Sequence, residues 1–135
     1  MSFKVAVYGT LRPKSHNNGL LRDAKHLGTG KTVNKYRLGA RYIPFVSQVE
    51  KEDTNNVVID LYEVTAEELV RLDRLENNPN WYKREEIPVN VNGTEHTAWL
   101  YFNETENYGA LKTIINGDYL NPEFKPQPVA QTMGV

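Results

Sequence analysis

The chain has 135 residues, 16 Lys and Arg against 17 Asp and Glu, a formal net charge of −1, and no cysteine. This length is typical of one domain with a hydrophobic core. The charge balance gives no basic surface for nucleic acid, and no apolar run approaches the ~20 residues that cross a bilayer. The lack of cysteine excludes disulfides, thiolate catalysis and cysteine-ligated metal. We therefore expect a cytoplasmic protein without a signal peptide that binds neither nucleic acid nor a membrane.

The three histidines also argue against a metal site. His16, His26 and His96 are scattered, without a His-x-x-His or His-Glu-x-x-His spacing. We expect no metal and no cofactor, so any catalysis must use carboxylates, tyrosines, hydroxyls, arginines and backbone groups.

The first predicted strand, Lys4 to Val7, ends at the segment Tyr8-Gly9-Thr10-Leu11. A simple turn would be served by Asn-Gly or Pro-Gly, whereas Gly9 before a small hydroxyl residue indicates a backbone that approaches something closely. The segment has no Gly-x-x-x-x-Gly-Lys pattern, so it is not a phosphate loop. Its backbone N–H groups form a candidate oxyanion or carboxylate site.

The next stretch predicts a short helix followed by strands. Apolar residues at helical spacing, ending at Gly28 and Gly30, predict a helix through Leu20, Leu21, Ala24 and Leu27. Residues 31–49 predict short strands broken by turns, and 50–56 an exposed hairpin tip. Residues 57–64, VVIDLYEV, predict a strand that is buried on both faces.

The strongest helix signal is Thr65 to Leu75, where Thr65 and Glu68 have the spacing of a capping box. Asn77-Asn78-Pro79-Asn80 ends it. Further on, Asn92-Gly93 predicts a β-hairpin that pairs Arg84 with Tyr101. Pro88 makes this register less regular, because proline favours an edge or a bulge. Mostly short strands with one or two helices favour an α+β fold, with a small barrel or curled sheet.

Glu76 is the candidate acid–base residue. It lies at the C-terminal end of the predicted helix, where the helix dipole disfavours a negative charge. Desolvation by Leu75 and Trp81 would raise its pKa towards neutrality, which suits a carboxyl group that takes and returns a proton. The alternative is that Glu76 is an ordinary solvated charge.

Tyr82, Arg84 and Tyr101 would share one face of the hairpin and could bind an anionic group. Equally, Arg84 could pair with Glu86 or Asp60 and brace the sheet. Asp73 is expected to be a helix-surface or structural residue, because helical spacing places it away from the apolar stripe.

Together these segments resemble the gamma-glutamylcyclotransferase-like (AIG2-like) family. The resemblance lies in the order and spacing of Tyr8-Gly9-Thr10-Leu11, Leu72-Asp73-x-x-Glu76 and Tyr82-x-Arg84. Further matches run along the chain: Arg12 with Asn17, Tyr42-Ile43-Pro44, Ala98-Trp99-Leu100-Tyr101 and Gly117-Asp118-Tyr119. Each match is weak alone, but together and in order they are specific.

The resemblance implies a small mixed β-barrel with a few short flanking helices, in one domain over residues 1–120 with a Pro-containing tail over 121–135. Enzymes of the family cyclise a γ-glutamyl group to 5-oxoproline and release an amine or amino acid. On this basis Glu76 would be the general acid/base. The substrate-binding residues would be Tyr8, Gly9, Thr10, Leu11, Tyr82, Arg84 and Tyr101.

The chain departs from the family pattern at three places. Ile59-Asp60 stands where many members have Gly-Glu, and the bulkier Ile59 would narrow or redirect the pocket. Asn77 stands where Gly is common, and Lys14 stands where a Gly often follows the first motif. The favoured function is a cofactor-free cyclotransferase, with the γ-glutamylamine branch slightly preferred, in a monomer or weak homodimer. The alternatives are a metabolite-binding module using the same pocket, and a hydrolase or acyltransferase acting on another small amide.

Overall fold

The computed structural model describes residues 2–13, 15, 18–41, 43–48, 54–104 and 112–126. Its elements are β1 (Ser2–Val7), a 3₁₀-helix (Asn18–Leu21), β2 (Lys25–Arg41), β3 (Ile43–Ser47), β4 (Asn55–Thr65), α1 (Ala66–Glu76), β5 (Lys83–Val91), β6 (Thr94–Phe102) and β7 (Lys112–Ile114). Within these ranges, no helix has the length and apolarity that a membrane span requires.

Five strands close into a mixed barrel, which confirms the predicted fold class. The strand order is β2-β4-β1-β6-β5, and β5 pairs again with β2. The β1–β6 pair is parallel, and the other pairs are antiparallel. Closure requires Gly30, because a Cβ there would lie 1.9 Å from the Asn90 carbonyl oxygen of β5. Strands β3 and β7 pair with the C-terminal part of β2, beyond the barrel.

The helix predicted over residues 20–27 is wrong. Only Asn18–Leu21 is helical, as a single 3₁₀ turn, and β2 begins at Lys25. Three of the four predicted apolar positions precede β2, and only Leu27 lies in the strand, where the register against β4 shifts between His26 and Gly28. Of the four predicted apolar positions, only Leu21 is fully buried.

Residues 31–49 also differ from the prediction of several short strands. Residues 25–41 form one strand of 17 residues, with a second register shift between Lys31 and Lys35. Pro44 is tolerated in β3 because that strand ends the sheet order. Residues 42 and 49–53 lie outside the described residues, and they include residues 50–53 of the hairpin tip predicted over 50–56. Strand β4 already begins at Asn55.

The buried apolar residues form two layers, one inside the barrel and one between the sheet and α1. Successive side chains of β1 point alternately into these two layers. Ala6 belongs to the barrel interior, whereas Val5 and Val7 belong to the layer under α1. Strand β4 is buried on both faces as predicted, with Ile59 in the interior and Val64 under the helix. The helix and the barrel therefore share β1 and β4 as a common wall.

Helix α1 has the predicted cap. The Glu68 amide donates to Thr65 Oγ1 at 3.1 Å, and the Thr65 amide donates to Glu68 Oε1 at 2.8 Å. The helix ends at Glu76, and the next residue, Asn77, adopts the left-handed conformation (φ 53°, ψ 47°). This explains why glycine suits that position and why asparagine can replace it.

The predicted hairpin is confirmed. Arg84 pairs with Tyr101 and Val91 with Thr94, and the register continues unbroken through Pro88. After β7 the chain turns back, since the Ile115 amide donates to the Glu123 carbonyl at 2.8 Å. Residues 127–135 of the predicted tail lie outside the described residues.

Candidate active site

A cavity of about 240 Å³ lies between the end of β1 and the end of α1. All of the predicted site residues except Arg84 line it. The lining consists of Val7, Tyr8, Gly9, Thr10, Leu11, Pro44, Leu75, Glu76, Trp81, Tyr82 and Tyr101. Five segments meet there: the end of β1 with the loop after it, β3, the C-terminal turn of α1, the segment before β5, and β6.

The loop after β1 supplies backbone to the cavity. The Arg12 amide donates to the Gly9 carbonyl at 3.0 Å and closes a turn over residues 9–12. A Cβ at Gly9 would lie 2.4 Å from Pro44 Cγ, so glycine is required by the proline ring. The sequence predicted a close approach of this backbone, and the group that it approaches is the side chain of Pro44.

Glu76 presents the one carboxyl group among the described residues that line the cavity. Desolvation by burial raises the pKa of this group from its ordinary value of 4.5 to about 7. No hydrogen bond or ion pair joins the carboxyl group to another side chain in the described part of the chain. A carboxyl group of this kind is partly protonated near neutral pH and is able to exchange a proton with a ligand.

The hydroxyls of the three cavity tyrosines already donate to protein acceptors. Tyr8 donates to the Tyr101 carbonyl, Tyr82 to the Pro44 carbonyl, and Tyr101 to Asp73 Oδ1, each at 2.6 Å. Burial, followed by nearby groups that include Glu76, raises the pKa of all three phenols. These tyrosines therefore stay neutral and shape the cavity with their rings.

Arg84 does not line the cavity. Its Nε donates to Asp73 Oδ1 at 2.8 Å and its Nη2 to Asp73 Oδ2 at 3.2 Å. The guanidinium also lies 4.3 Å from the ring centre of Trp99. The predicted pairing of Arg84 with Glu86 or Asp60 is wrong, because the hairpin packs Arg84 against α1. Asp73 is structural, as predicted.

Asp60 is the centre of a buried polar cluster. Its carboxylate accepts from Arg12 Nε at 2.8 Å, from Thr29 Oγ1 at 2.5 Å, and lies 2.9 Å from His26 Nε2. The second arm of Arg12 donates to Asp118 at 2.8 Å. This cluster ties the turn beside the cavity to β4 and to the C-terminal segment. No sequence signal indicated it, because its members lie on four separate segments.

Ile59 lies in the barrel core and does not line the cavity. The expectation that it narrows or redirects the pocket is therefore wrong. Successive side chains of β4 point to opposite faces of the sheet. Ile59 therefore points into the barrel, whereas Asp60 contacts the cluster around Arg12.

Four lining residues were absent from the predicted site: Val7, Pro44, Leu75 and Trp81. Leu75 directly precedes Glu76 and Trp81 follows it by five residues, and their expected desolvation of Glu76 was the available signal for them. Pro44 reaches the cavity through the pairing of β3 with β2, which is a long-range contact. The part of the chain that the structure describes contains no group of three or more His, Asp or Glu side chains suited to a metal ion.

Comparison with known proteins identifies relatives over most of the chain. The family described as "Gamma-glutamyl cyclotransferase, AIG2-like" matches residues 5–121. A relative from Methanocaldococcus jannaschii, named "Putative gamma-glutamylcyclotransferase", is 39% identical over 117 residues, covering 85% of this chain and 93% of the relative. A relative of the same name from Drosophila melanogaster is 37% identical over 110 residues, covering 75% and 69%.

Solved structures share the fold. The crystal structure of an AIG2-like protein from Mus musculus matches with a TM-score of 0.77 and 24% identity, covering 93% of this chain and 97% of that one. A protein from Pyrococcus horikoshii matches with a TM-score of 0.66 and 26% identity, covering 87% and 89%.

Proposed function

The chain belongs to the gamma-glutamyl cyclotransferase, AIG2-like family, and we propose that it converts a γ-glutamyl amine to 5-oxoproline and free amine. One observation carries the proposal. The carboxyl group of Glu76 lies in a largely apolar cavity with a pKa of about 7. Cyclisation requires one group that removes a proton and then returns it, and such a carboxyl group can do both at neutral pH.

The reaction is an intramolecular acyl transfer that needs no co-reactant. The Glu76 carboxylate takes a proton from the α-ammonium of the γ-glutamyl group, and the freed amine nitrogen attacks the γ-carbonyl carbon. The new C–N bond closes the five-membered ring and places negative charge on the carbonyl oxygen. That charge then expels the leaving amine as the old C–N bond breaks, and Glu76 donates its proton to the departing nitrogen. The regenerated carboxylate takes the second proton of the ring nitrogen and passes it to the released amine, which leaves as an ammonium ion.

The backbone amides of Gly9, Thr10 and Leu11 are proposed to hold the substrate carboxylate or the developing oxyanion. Their position in the cavity wall supports this role. Fixed donors stabilise charge more effectively than mobile ones, since they need no reorganisation during the reaction. The turn that carries them is fixed by the Arg12 amide and by the ion pairs of the Arg12 side chain with Asp60 and Asp118.

The γ-glutamylamine branch is proposed over γ-glutamyl amino acids. A leaving amino acid brings a second carboxylate, and ionised Glu76 repels that group inside the cavity. An amine without a carboxylate avoids this repulsion.

A panel of substrates tests the proposal. Purified protein is incubated separately with γ-glutamyl-ε-lysine, γ-glutamyl-alanine, glutathione and a simple γ-glutamyl alkylamide, and 5-oxoproline is followed by mass spectrometry. We expect product from the γ-glutamyl alkylamide, with slower or no turnover of γ-glutamyl-alanine and glutathione. Turnover of γ-glutamyl-ε-lysine should fall between them, because the carboxylate of its leaving lysine is remote from the amide that is cleaved. If folded protein yields no 5-oxoproline from any compound but binds one in calorimetry, the chain is a metabolite-binding module. Free glutamate in place of 5-oxoproline would indicate a hydrolase.

A further inference from the structure

The cavity has an enclosed side and an exposed rim. Val7, Tyr8 and Leu11 are each less than 10% exposed, whereas Trp81 is 50% exposed and Leu75 is 39% exposed. Both rim residues are large and apolar, and both line the cavity beside Glu76. Isolated exposed apolar side chains are common on protein surfaces, but two at the mouth of a cavity form a contact surface for a ligand.

Backbone hydrogen bonds hold Trp81 beside Glu76. The Trp81 amide donates to the Asn77 carbonyl at 2.9 Å, and the Tyr82 amide donates to the Glu76 carbonyl at 3.2 Å. The chain after α1 is thereby folded back on the last helical turn. Trp81 follows Glu76 by five residues, yet it lines the same cavity because of this fold.

Aromatic contacts fix the indole ring. Trp81 meets Tyr82 edge-on with ring centres 5.1 Å apart, and it meets Phe45 edge-on at 6.3 Å. Phe45 and Tyr82 are stacked in parallel at 5.8 Å. A ring held on these sides while half of its surface faces solvent is pre-organised for a ligand, since little side-chain entropy is lost on contact.

We infer that Trp81 and Leu75 form the subsite for the leaving amine and that they select amines with an extended apolar chain. This inference rests on the proposed function. Glu76 must lie near both the α-nitrogen and the leaving nitrogen, so the two ends of the substrate extend in different directions from it. The compact glutamyl end occupies the enclosed side with Gly9, and the released amine extends over the rim.

A homologous series measures this selectivity. The substrates are the γ-glutamyl methylamide, butylamide and hexylamide, which differ only in methylene groups. In the wild-type protein we expect kcat/KM to rise roughly two- to fourfold for each methylene that leaves water. Trp81→Ala should lower the hexylamide-to-methylamide ratio of kcat/KM by about fivefold or more, and Leu75→Ala should lower it by less.

Phe124→Ala is the matched control, since Phe124 is 44% exposed and lies outside the cavity lining. It should leave the ratio unchanged. The same series is also titrated calorimetrically into Glu76→Gln, which reports chain-length dependence of Kd without turnover. The subsite is overturned if neither kcat/KM of the wild-type protein nor Kd of Glu76→Gln changes with the length of the amine chain. It is also overturned if Trp81→Ala leaves the hexylamide-to-methylamide ratio of kcat/KM unchanged. Chain-dependent binding without any 5-oxoproline overturns the cyclotransferase proposal and retains the subsite.

Discussion

Arg84 of β5 donates two hydrogen bonds to Asp73 of α1, at 2.8 and 3.2 Å. Asp73 precedes Glu76 by one helical turn and also accepts the Tyr101 hydroxyl. The three side chains therefore fasten the last turn of the helix to the hairpin. Arg84 orients the helix that carries Glu76 and takes no part in the cavity wall.

Replacing Arg84 with lysine should lower stability, because lysine cannot reproduce the two-pronged contact with Asp73. Both side chains are roughly one-fifth exposed, so we expect a modest loss of about 1 kcal/mol in the free energy of unfolding. Urea denaturation measures it. KM for a γ-glutamyl amine should change less than twofold, and a tenfold rise in KM without loss of stability would show that Arg84 binds substrate directly.

Gly9→Ala should damage both stability and turnover. The added Cβ would lie 2.4 Å from Pro44 Cγ, so the proline ring or the turn must move. Overpacking of this kind costs about 1–3 kcal/mol, and the moved turn carries the amides proposed to hold the substrate. Thermal unfolding and 5-oxoproline formation measure the two effects.

Gly19→Ala is the control for this substitution, since no atom of the described residues, apart from Gly19 and its chain neighbours, lies within 4 Å of the added Cβ. It should leave both quantities near their wild-type values. Equal effects of the two substitutions would contradict the steric explanation.

Glu76→Gln should stabilise the protein at alkaline pH. The folded-state pKa of Glu76 is raised to about 7 from an ordinary 4.5, so the folded state binds more protons than the unfolded state between these values. Stability of the wild-type protein therefore falls as pH rises through this window. Glutamine has no such dependence. We expect the variant to gain about 1–3 kcal/mol relative to wild type at pH 8 and much less at pH 5, measured by urea denaturation. The same gain at both pH values would indicate an unshifted pKa.

The rate should depend on pH through the same group. Since the carboxylate form accepts the first proton, kcat/KM should fall tenfold per pH unit below about pH 7, the pKa of Glu76 in the free enzyme. A rate profile from pH 4 to 9 measures this limb. If kcat/KM instead falls only below about pH 4.5, Glu76 is exposed in solution or another carboxyl group acts as the base.

The features that followed from the sequence depend on local chemistry. The capping box of Thr65 and the turn at Asn92-Gly93 each arise from neighbouring residues. The position of Glu76 at a helix end was also visible locally and indicated a poised carboxyl group, although the burial that raises its pKa is supplied by a cavity that several segments build.

The features that did not follow depend on contacts between distant segments. The length of β2 is set by its pairing with β4, β5, β3 and β7. The apolar residues over 20–27 have helical spacing, but they lie in a 3₁₀ turn, in the turn after it and at the start of β2. Arg84 had several acidic candidates in sequence, and only the packing of the hairpin on α1 selects Asp73. The Asp60 cluster joins four segments, so no local spacing reveals it.

The most direct test of the account compares Glu76→Gln with Glu67→Gln, an exposed glutamate in the first turn of the same helix. Both variants and the wild-type protein are given the best γ-glutamyl amine of the panel, and 5-oxoproline is measured by mass spectrometry alongside binding by calorimetry. We expect that Glu76→Gln loses at least a hundredfold in kcat, in line with general acid–base catalysis, and still binds the substrate, whereas Glu67→Gln remains active. Undiminished turnover by Glu76→Gln would contradict the assignment of Glu76 as the acid–base residue.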